Sequence, residues 1–182
     1  LEDYARAIDL YQQRLALAQE LKDRRGYGTA LGNLGIAYQS LGEFVRASDN
    51  YRQSLAIARE LNNRTNEGQI LGRLGNVALA QGEYPTAMEL YQQSLAIAQE
   101  TKYLYGQAVM LERLGTAQLS QKNYPQALEF YNQSLAIVQQ IKNYSMLRQL
   151  LKAIGEVYLN QGRVSQAQTY YQQNLTLAQQ VK

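Results

Sequence analysis

Apolar residues recur along this chain at intervals of three and four, the spacing that places them on one face of a helix. Leu31, Leu34 and Tyr38 share one such face, and Tyr51 and Leu55 share another. Strands would instead alternate apolar and polar positions, and that pattern is not seen. The pattern therefore predicts an all-α protein built from amphipathic helices.

The helical segments repeat. The block YQQRLALA, which begins at Tyr11, returns in closely similar form four more times, and each step is 40 residues without insertion or deletion. A second block, LGNLG at Leu31, follows the same period. The copies of the first block begin at Tyr51, Tyr91, Tyr131 and Tyr171, and those of the second at Leu71, Leu111 and Leu151. Internal repeats of this length are typical of solenoids.

Each repeat is predicted to be a hairpin of two helices, helix A and then helix B, with a Gly-Glu-aromatic turn between them. Pro85 and Pro125 fall where a helix B begins, and the first helical turn tolerates proline. The predicted B helices are 4–22, 44–61, 85–101, 125–141 and 164–181, and the predicted A helices are 25–40, 65–80, 104–120 and 144–160.

One glycine recurs inside every helix A, although glycine there costs about 1 kcal/mol relative to alanine. Gly35 lies 12 residues before Ala47, and the same pairing recurs in the later repeats. We expect the two small residues to face each other so that helices A and B approach closely. The tyrosine and leucine columns would then fill the space between neighbouring hairpins, and stacking is obligatory because one hairpin cannot bury both faces.

These columns resemble the tetratricopeptide repeat. The second unit carries the family's spacing in Leu31, Leu34-Gly35, Tyr38, Ala47, Tyr51 and Ser54. The period of 40 exceeds the usual 34 of the family, and it is similar to that of kinesin light chain and the Leu-Gly-Asn-repeat adaptors. The resemblance implies a right-handed superhelical solenoid of antiparallel helix pairs. It also implies a single array over 1–182, with helix B of a partial repeat at 1–23 and full repeats at 24–63, 64–103, 104–143 and 144–182.

The same resemblance implies a concave face, lined by A helices, that binds an extended peptide. On that face the side chains differ between repeats, whereas the structural columns do not. The candidate peptide-binding residues are Asn33, Gln69, Arg73, Asn76, Glu112, Arg113, Arg148 and Lys152. A solvated face without a ligand would also vary in this way, and Lys152 and Glu156 are spaced to pair with each other.

Asn33, Arg73 and Arg113 occupy one column, so we expect a ladder with steps of about 10 Å. An asparagine amide can bond both the N–H and the C=O of a peptide backbone, and an arginine can hold a carboxylate through two bonds. Residues 92–182 carry a formal charge of +4 and residues 1–91 carry −1. The expected partner is thus a protein or peptide of acidic or carboxylate-bearing character, bound toward the C-terminal half.

Composition narrows the function further. The chain of 182 residues lacks Cys, His and Trp, which removes thiol and imidazole catalysis and every Cys/His metal site. We expect no enzyme activity, no cofactor and no metal. A net charge of +3 is too small for nucleic-acid binding, and no apolar run is long enough to span a membrane. We expect a cytoplasmic location and, because the chain begins at Leu1, a longer parent protein.

Two further features leave alternatives open. The first B helix lacks its own helix A, so this chain could instead self-associate end to end through the uncovered helix. Tyr103, Tyr105 and Tyr144 lie outside the repeat columns, at the starts of two A helices. They could line the rim of the groove or form an interface. The first function considered remains a non-catalytic scaffold that binds a partner segment.

Overall fold

A computed structural model describes residues 2–180, and within them the chain forms nine α-helices and no strand. The odd-numbered helices are the B helices of the repeats and the even-numbered ones are the A helices. The helices are α1 (Glu2–Glu20), α2 (Arg24–Ser40), α3 (Phe44–Glu60), α4 (Arg64–Ala80), α5 (Tyr84–Glu100), α6 (Leu104–Ser120), α7 (Tyr124–Gln140), α8 (Tyr144–Asn160) and α9 (Val164–Gln180).

The predicted helix boundaries are confirmed to within two residues, except that the predicted end of the last helix, residue 181, lies outside the described residues. Helices α2 to α9 each contain 17 residues, and three-residue turns join them, which accounts for the period of 40. In every turn the middle residue has a positive φ. Between helices A and B this residue is Gly42, Gly82, Lys122 or Gly162, and between helices B and A it is Lys22, Asn62, Lys102 or Lys142.

The chain divides into two compact units, the first ending at Ile97 and the second beginning at Ala98. The core of the first unit includes Tyr51, Leu71 and Val77. The core of the second includes Tyr131, Leu150 and Ile154. In each unit, neighbouring A and B helices bury the faces that the apolar spacing predicts.

The repeated glycine in helix A accommodates an aromatic ring, while the expected contact with alanine stays a prediction. A methyl group on Gly35 would lie 2.5 Å from ring carbons of Tyr51, closer than carbon atoms can approach. The same is true of Gly75 with Tyr91, at 2.6 Å. The tyrosine thus packs within its own hairpin, and Tyr51 also shares a core with Leu71 and Val77 of the next hairpin, as the columns predicted. Gly115 with Tyr131 and Gly155 with Tyr171 repeat the contact, each at 2.6 Å.

A buried serine on helix B makes a second link within the hairpin. The Ser54 hydroxyl donates to the backbone carbonyl of Gly28 at 2.7 Å, and Ser94 donates to Gly68 at the same distance. In the second unit Ser134 donates to Ala108 at 2.8 Å. Because these hydroxyls are buried, the bond satisfies a polar group that would otherwise destabilise the fold. The small-residue column of the repeat therefore fixes the register of helix B on helix A.

Glu67, at the start of α4, is buried and joins that helix to the end of α3. Its carboxylate accepts from Arg59 at 2.9 Å and from Arg64 at 2.6 Å. Burial alone would raise the pKa of Glu67, but the two arginine hydrogen bonds outweigh burial and lower it. An arginine pair thus holds a buried carboxylate in its charged form between consecutive repeats.

The glycine–tyrosine contact predicts that one substitution has opposite effects at two sites in α2. Gly35→Ala forces the methyl group into the Tyr51 ring, so we expect a loss of about 1–3 kcal/mol in the free energy of unfolding. Gly32→Ala meets only the Ser54 hydroxyl, at 3.4 Å, and should stabilise by about 0.5–1 kcal/mol through helix propensity. Urea unfolding measures both, and equal changes would contradict the contact.

The Glu67 ion pairs predict a stability difference that depends on pH. Because the pKa of Glu67 is lowered in the folded state, its contribution is complete above the unfolded pKa of about 4.3 and is lost as pH falls below it. Glu67→Gln should cost about 1 kcal/mol at pH 7, and the difference from the parent protein should narrow as the pH falls below the unfolded pKa and the carboxylate becomes protonated.

Thermal unfolding across this pH range tests the prediction. Glu89→Gln, at a solvent-exposed position on α5, serves as the control and should show little difference at any pH. A Glu67→Gln difference that stays constant down to pH 3 would show that the carboxylate charge is not what stabilises this junction.

Candidate functional site

The eight candidate binding residues all lie on A helices, and the structure places them in two sets. Helices α2 and α4 of the first unit carry one set, and helices α6 and α8 of the second carry the other. The first set is Asn33, Gln69, Arg73 and Asn76, and the second is Glu112, Arg113, Arg148 and Lys152. Gln69, Arg148 and Lys152 are exposed and the other five are half-buried.

In the first unit, Arg73 lies beside a tyrosine hydroxyl. Tyr51 passes under Gly35 and donates its hydroxyl proton to the Gln39 side chain at 2.8 Å. Burial raises the pKa of Tyr51, and the neighbouring positive charge of Arg73 partly opposes that rise. Within residues 2–180, no carboxylate lies within ion-pair distance of Arg73. The guanidinium thus keeps an uncompensated charge on a half-buried surface, where water screens it less.

Asn76 has a structural role that the sequence did not indicate. Its amide oxygen accepts a hydrogen bond from the Tyr91 hydroxyl at 2.8 Å. The amide nitrogen is therefore the half of the side chain that remains for a ligand. Asn33, one repeat earlier and in the column of Arg73, is half-buried on α2.

In the second unit, the Tyr131 hydroxyl forms the centre of a polar group. It lies 3.1 Å from the Thr116 hydroxyl, which also lies 3.3 Å from the Glu112 carboxylate. Burial raises the pKa of Tyr131 to about 12, and the negative charges of Glu112 and Glu156 add to the rise. This tyrosine is neutral throughout the physiological pH range and acts as a fixed hydrogen-bonding group.

The basic candidates of the second unit have partners of their own. Arg113 lies 3.4 Å from the Glu112 carboxylate, and Lys152 lies 3.6 Å from Glu156, which is the i,i+4 pair that the spacing predicted. Arg148 donates to the Asn174 side chain at 3.3 Å. Arg113 and Lys152 are thus balanced by neighbouring carboxylates, whereas Arg73 is not.

Sequence reasoning missed the tyrosine hydroxyls and their partners. Gln39, Asn76 and Thr116 each bond the hydroxyl of the tyrosine from their own hairpin. The available signal was that the column is Tyr in all five repeats and never Phe. A buried tyrosine needs a hydrogen-bond partner for its hydroxyl, so the column predicted a polar residue opposite.

The repeats of this chain match the profile of a known family. The sequence profile of the tetratricopeptide repeat matches residues 1–60 and 66–140, and a second profile of the same description matches residues 150–182. This chain belongs to the tetratricopeptide-repeat family. The resemblance drawn from the repeat columns is therefore confirmed, and so is the fold class, an all-α solenoid of antiparallel helix pairs. No curated protein sequence matches the chain.

Solved structures with the same fold include several repeat proteins. BtubC (BKLC) from P. vanneervenii has 21% identity and a TM-score of 0.88, covering 98% of this chain and 74% of its own. A putative kinesin light chain from Podosopora anserina with nearly identical TPR-like repeats has 19% identity and a TM-score of 0.79, covering 98% and 88%. These identities establish a common fold and nothing more.

A Rap protein complexed with competence and sporulation factor is also similar. It has 16% identity and a TM-score of 0.84 over 97% of this chain, which spans half of that protein's length. Tetratricopeptide-repeat proteins are generally non-catalytic scaffolds. In the part of this chain that the structure describes, no helix combines the length and hydrophobicity needed to cross a membrane. The same residues contain no cluster of acidic, His or Cys side chains able to hold a metal ion.

The Tyr131 hydrogen bond predicts an energetic coupling between α6 and α7. Thr116→Val removes the hydroxyl partner while keeping the shape, and we expect it to cost about 1 kcal/mol. In a Tyr131→Phe background the same change should cost much less, because no hydroxyl then needs a partner. Urea unfolding of the four proteins gives the coupling energy.

Thr29→Val provides the matched control for that cycle, since Thr29 is exposed on α2 and its hydroxyl bonds a carbonyl of its own helix. Its cost should be the same with or without Tyr131. A coupling energy near zero between Thr116 and Tyr131 would show that their hydroxyls do not support each other.

Proposed function

We propose that this chain is a non-catalytic scaffold that binds an extended peptide or partner segment on the A-helix residues identified above, as one array of repeats within a larger protein. The observation that carries the proposal is the uncompensated charge of Arg73 beside the Tyr51 hydroxyl, in the same column as Asn33. The complex of a structurally similar Rap protein with competence and sporulation factor supports partner binding by this fold.

The chemistry of this group favours a ligand with a carboxylate. An arginine can donate two parallel bonds to a carboxylate, and charge-assisted bonds of this kind are stronger than neutral ones. The Asn33 amide would bond the ligand backbone one repeat away. In the second unit the candidate residues are Glu112, Arg113, Arg148 and Lys152, and each basic group there must first leave its present partner.

Gly32 supports the same location for the ligand. It precedes Asn33, and its missing side chain leaves the surface open except for the Ser54 hydroxyl. A glycine inside a helix is costly, so its presence is explained if a ligand backbone approaches the helix there. The equivalent column in the second unit carries Glu112 and Lys152, which hold ion pairs instead.

Arg73→Ala is expected to weaken binding of an acidic ligand by tenfold or more, because it removes a charge-assisted hydrogen bond worth about 1.5–3 kcal/mol. The probe is a pool of fluorescein-labelled acidic heptapeptides with free C-terminal carboxylates, followed by anisotropy. Arg113→Ala should have a smaller effect, since that arginine already pairs with Glu112.

Arg52→Ala is the matched control, because it removes one positive charge from an exposed position on α3 in the same unit. It should leave peptide affinity nearly unchanged. Equal affinity of the parent protein and Arg73→Ala for the peptides would refute the proposed site.

The second candidate function is self-association through α1, and exposed leucines favour it. Leu10 and Leu17, on α1, are 62% and 53% exposed, and Leu21, in the turn that follows, is 70% exposed. A second copy of the chain could cover this face. Light scattering across concentrations tests it: a constant monomer mass for both the parent protein and Leu17→Glu would exclude this function.

A further inference from the structure

The start of α6 departs from the pattern shared by the other A helices. The residue before α2, α4 and α8 is Asp23, Asn63 or Asn143, and in each case its side chain accepts a hydrogen bond from a backbone N–H of the first turn. Before α6 the residue is Tyr103, which makes no such bond. With tyrosine at this position, α6 lacks the stabilising N-cap hydrogen bond that the other A helices have.

The Tyr103 ring lies over the first turn of α6. With the ring in its present position, a methyl group on Gly106 would lie 2.4 Å from a ring carbon. Tyr105 completes a tilted pair with Tyr103, with ring centroids 6.1 Å apart and planes at 57°. Both rings remain exposed, at 42% and 45%. Natural sequences break local rules of this kind mainly at functional sites.

The aromatic surface extends along the same end of the second unit. Tyr144, the first residue of α8, is 45% exposed at the equivalent edge of the next repeat. In the first unit the corresponding edge instead carries ion pairs, such as those of Arg59 and Arg64 with Glu67. At this edge, tyrosines thus take the place of charged groups in the second unit and not in the first.

The charges beside these rings are positive. Lys102 and Lys142 are exposed at the turns that precede α6 and α8, both with φ near 54°. Neither forms an ion pair within residues 2–180. Glu100, at the end of α5, is already engaged with a partner. Two copies of this surface would repel each other, so a second copy of the chain is the wrong occupant and an acidic segment is the complementary one.

We propose that Tyr103, Tyr105 and Tyr144, with Lys102 and Lys142, form a docking surface for an acidic polyproline II segment with a Pro-x-x-Pro spacing. Tilted aromatic rings are the surface on which proline-rich segments dock. Three residues of polyproline II advance about 9 Å, which is close to the step of about 10 Å that the repeat columns predict between neighbouring A helices. One proline would pack on the Tyr103–Tyr105 pair and the next on Tyr144, with acidic residues between and beside them facing the lysines.

This surface is separate from the A-helix residues of the proposed function, and the two can be tested independently. The probe is the fluorescein-labelled octapeptide Asp-Glu-Pro-Asp-Ala-Pro-Glu-Asp. Two control peptides replace either both prolines by alanine or all acidic residues by lysine. Anisotropy should show at least tenfold tighter binding of the first peptide than of either control.

Tyr103→Asn removes the ring and restores the cap residue found before α4 and α8. We expect it to lose at least tenfold in affinity for the octapeptide while its Tm stays equal or rises by about 2 °C. Tyr4→Asn removes a tyrosine of similar exposure, 43%, from α1 and should bind normally. Arg73→Ala should also bind the octapeptide normally, because it alters only the other site.

The proposal is overturned if the three peptides bind equally or not at all, or if Tyr103→Asn binds like the parent protein. It is also overturned if Tyr103→Asn lowers Tm by several degrees, because the ring would then be retained for packing. Retained affinity in Tyr144→Ser would restrict the ligand to one repeat and contradict the Pro-x-x-Pro spacing.

Discussion

The contact between a helix-A glycine and a helix-B tyrosine is the constraint on which each repeat depends. The tyrosine ring occupies the volume that any other side chain at the glycine position would need, so the two helices approach at a fixed distance. Tyr51, Tyr91 and Tyr131 are consequently among the most deeply buried large side chains of the chain. The helix-propensity cost of the glycine is offset by burial of a whole aromatic ring.

The same ring connects the core to the candidate binding residues. Because each tyrosine passes under its glycine, its hydroxyl emerges beside polar side chains of helix A, namely Gln39, Asn76 and Thr116. The tyrosines therefore link the core to the proposed binding surface. Arg73 is the clearest example, because it lies beside the hydroxyl of the buried Tyr51.

Most of the fold could be predicted from the sequence, because the period is strict and each of four repeats shows the same helical spacing. Helix ends agreed to within two residues, since 17-residue helices and three-residue turns leave little freedom. The partner of the glycine did not follow, because spacing along the chain shows which residues share a face but not which side chain reaches across. The pairing of Arg113 and Lys152 with glutamates likewise depends on side-chain conformation, so only the Lys152–Glu156 pair was anticipated.

A double-mutant cycle between Gly115 and Tyr131 tests the central claim most directly, with urea unfolding as the measurement. If the ring is what excludes a side chain at Gly115, then Gly115→Ala should destabilise the parent protein but be neutral or stabilising in a Tyr131→Leu background, where the smaller side chain leaves room. If Gly115→Ala costs the same in both backgrounds, the glycine is required for some reason other than the tyrosine, and the account of helix pairing is wrong.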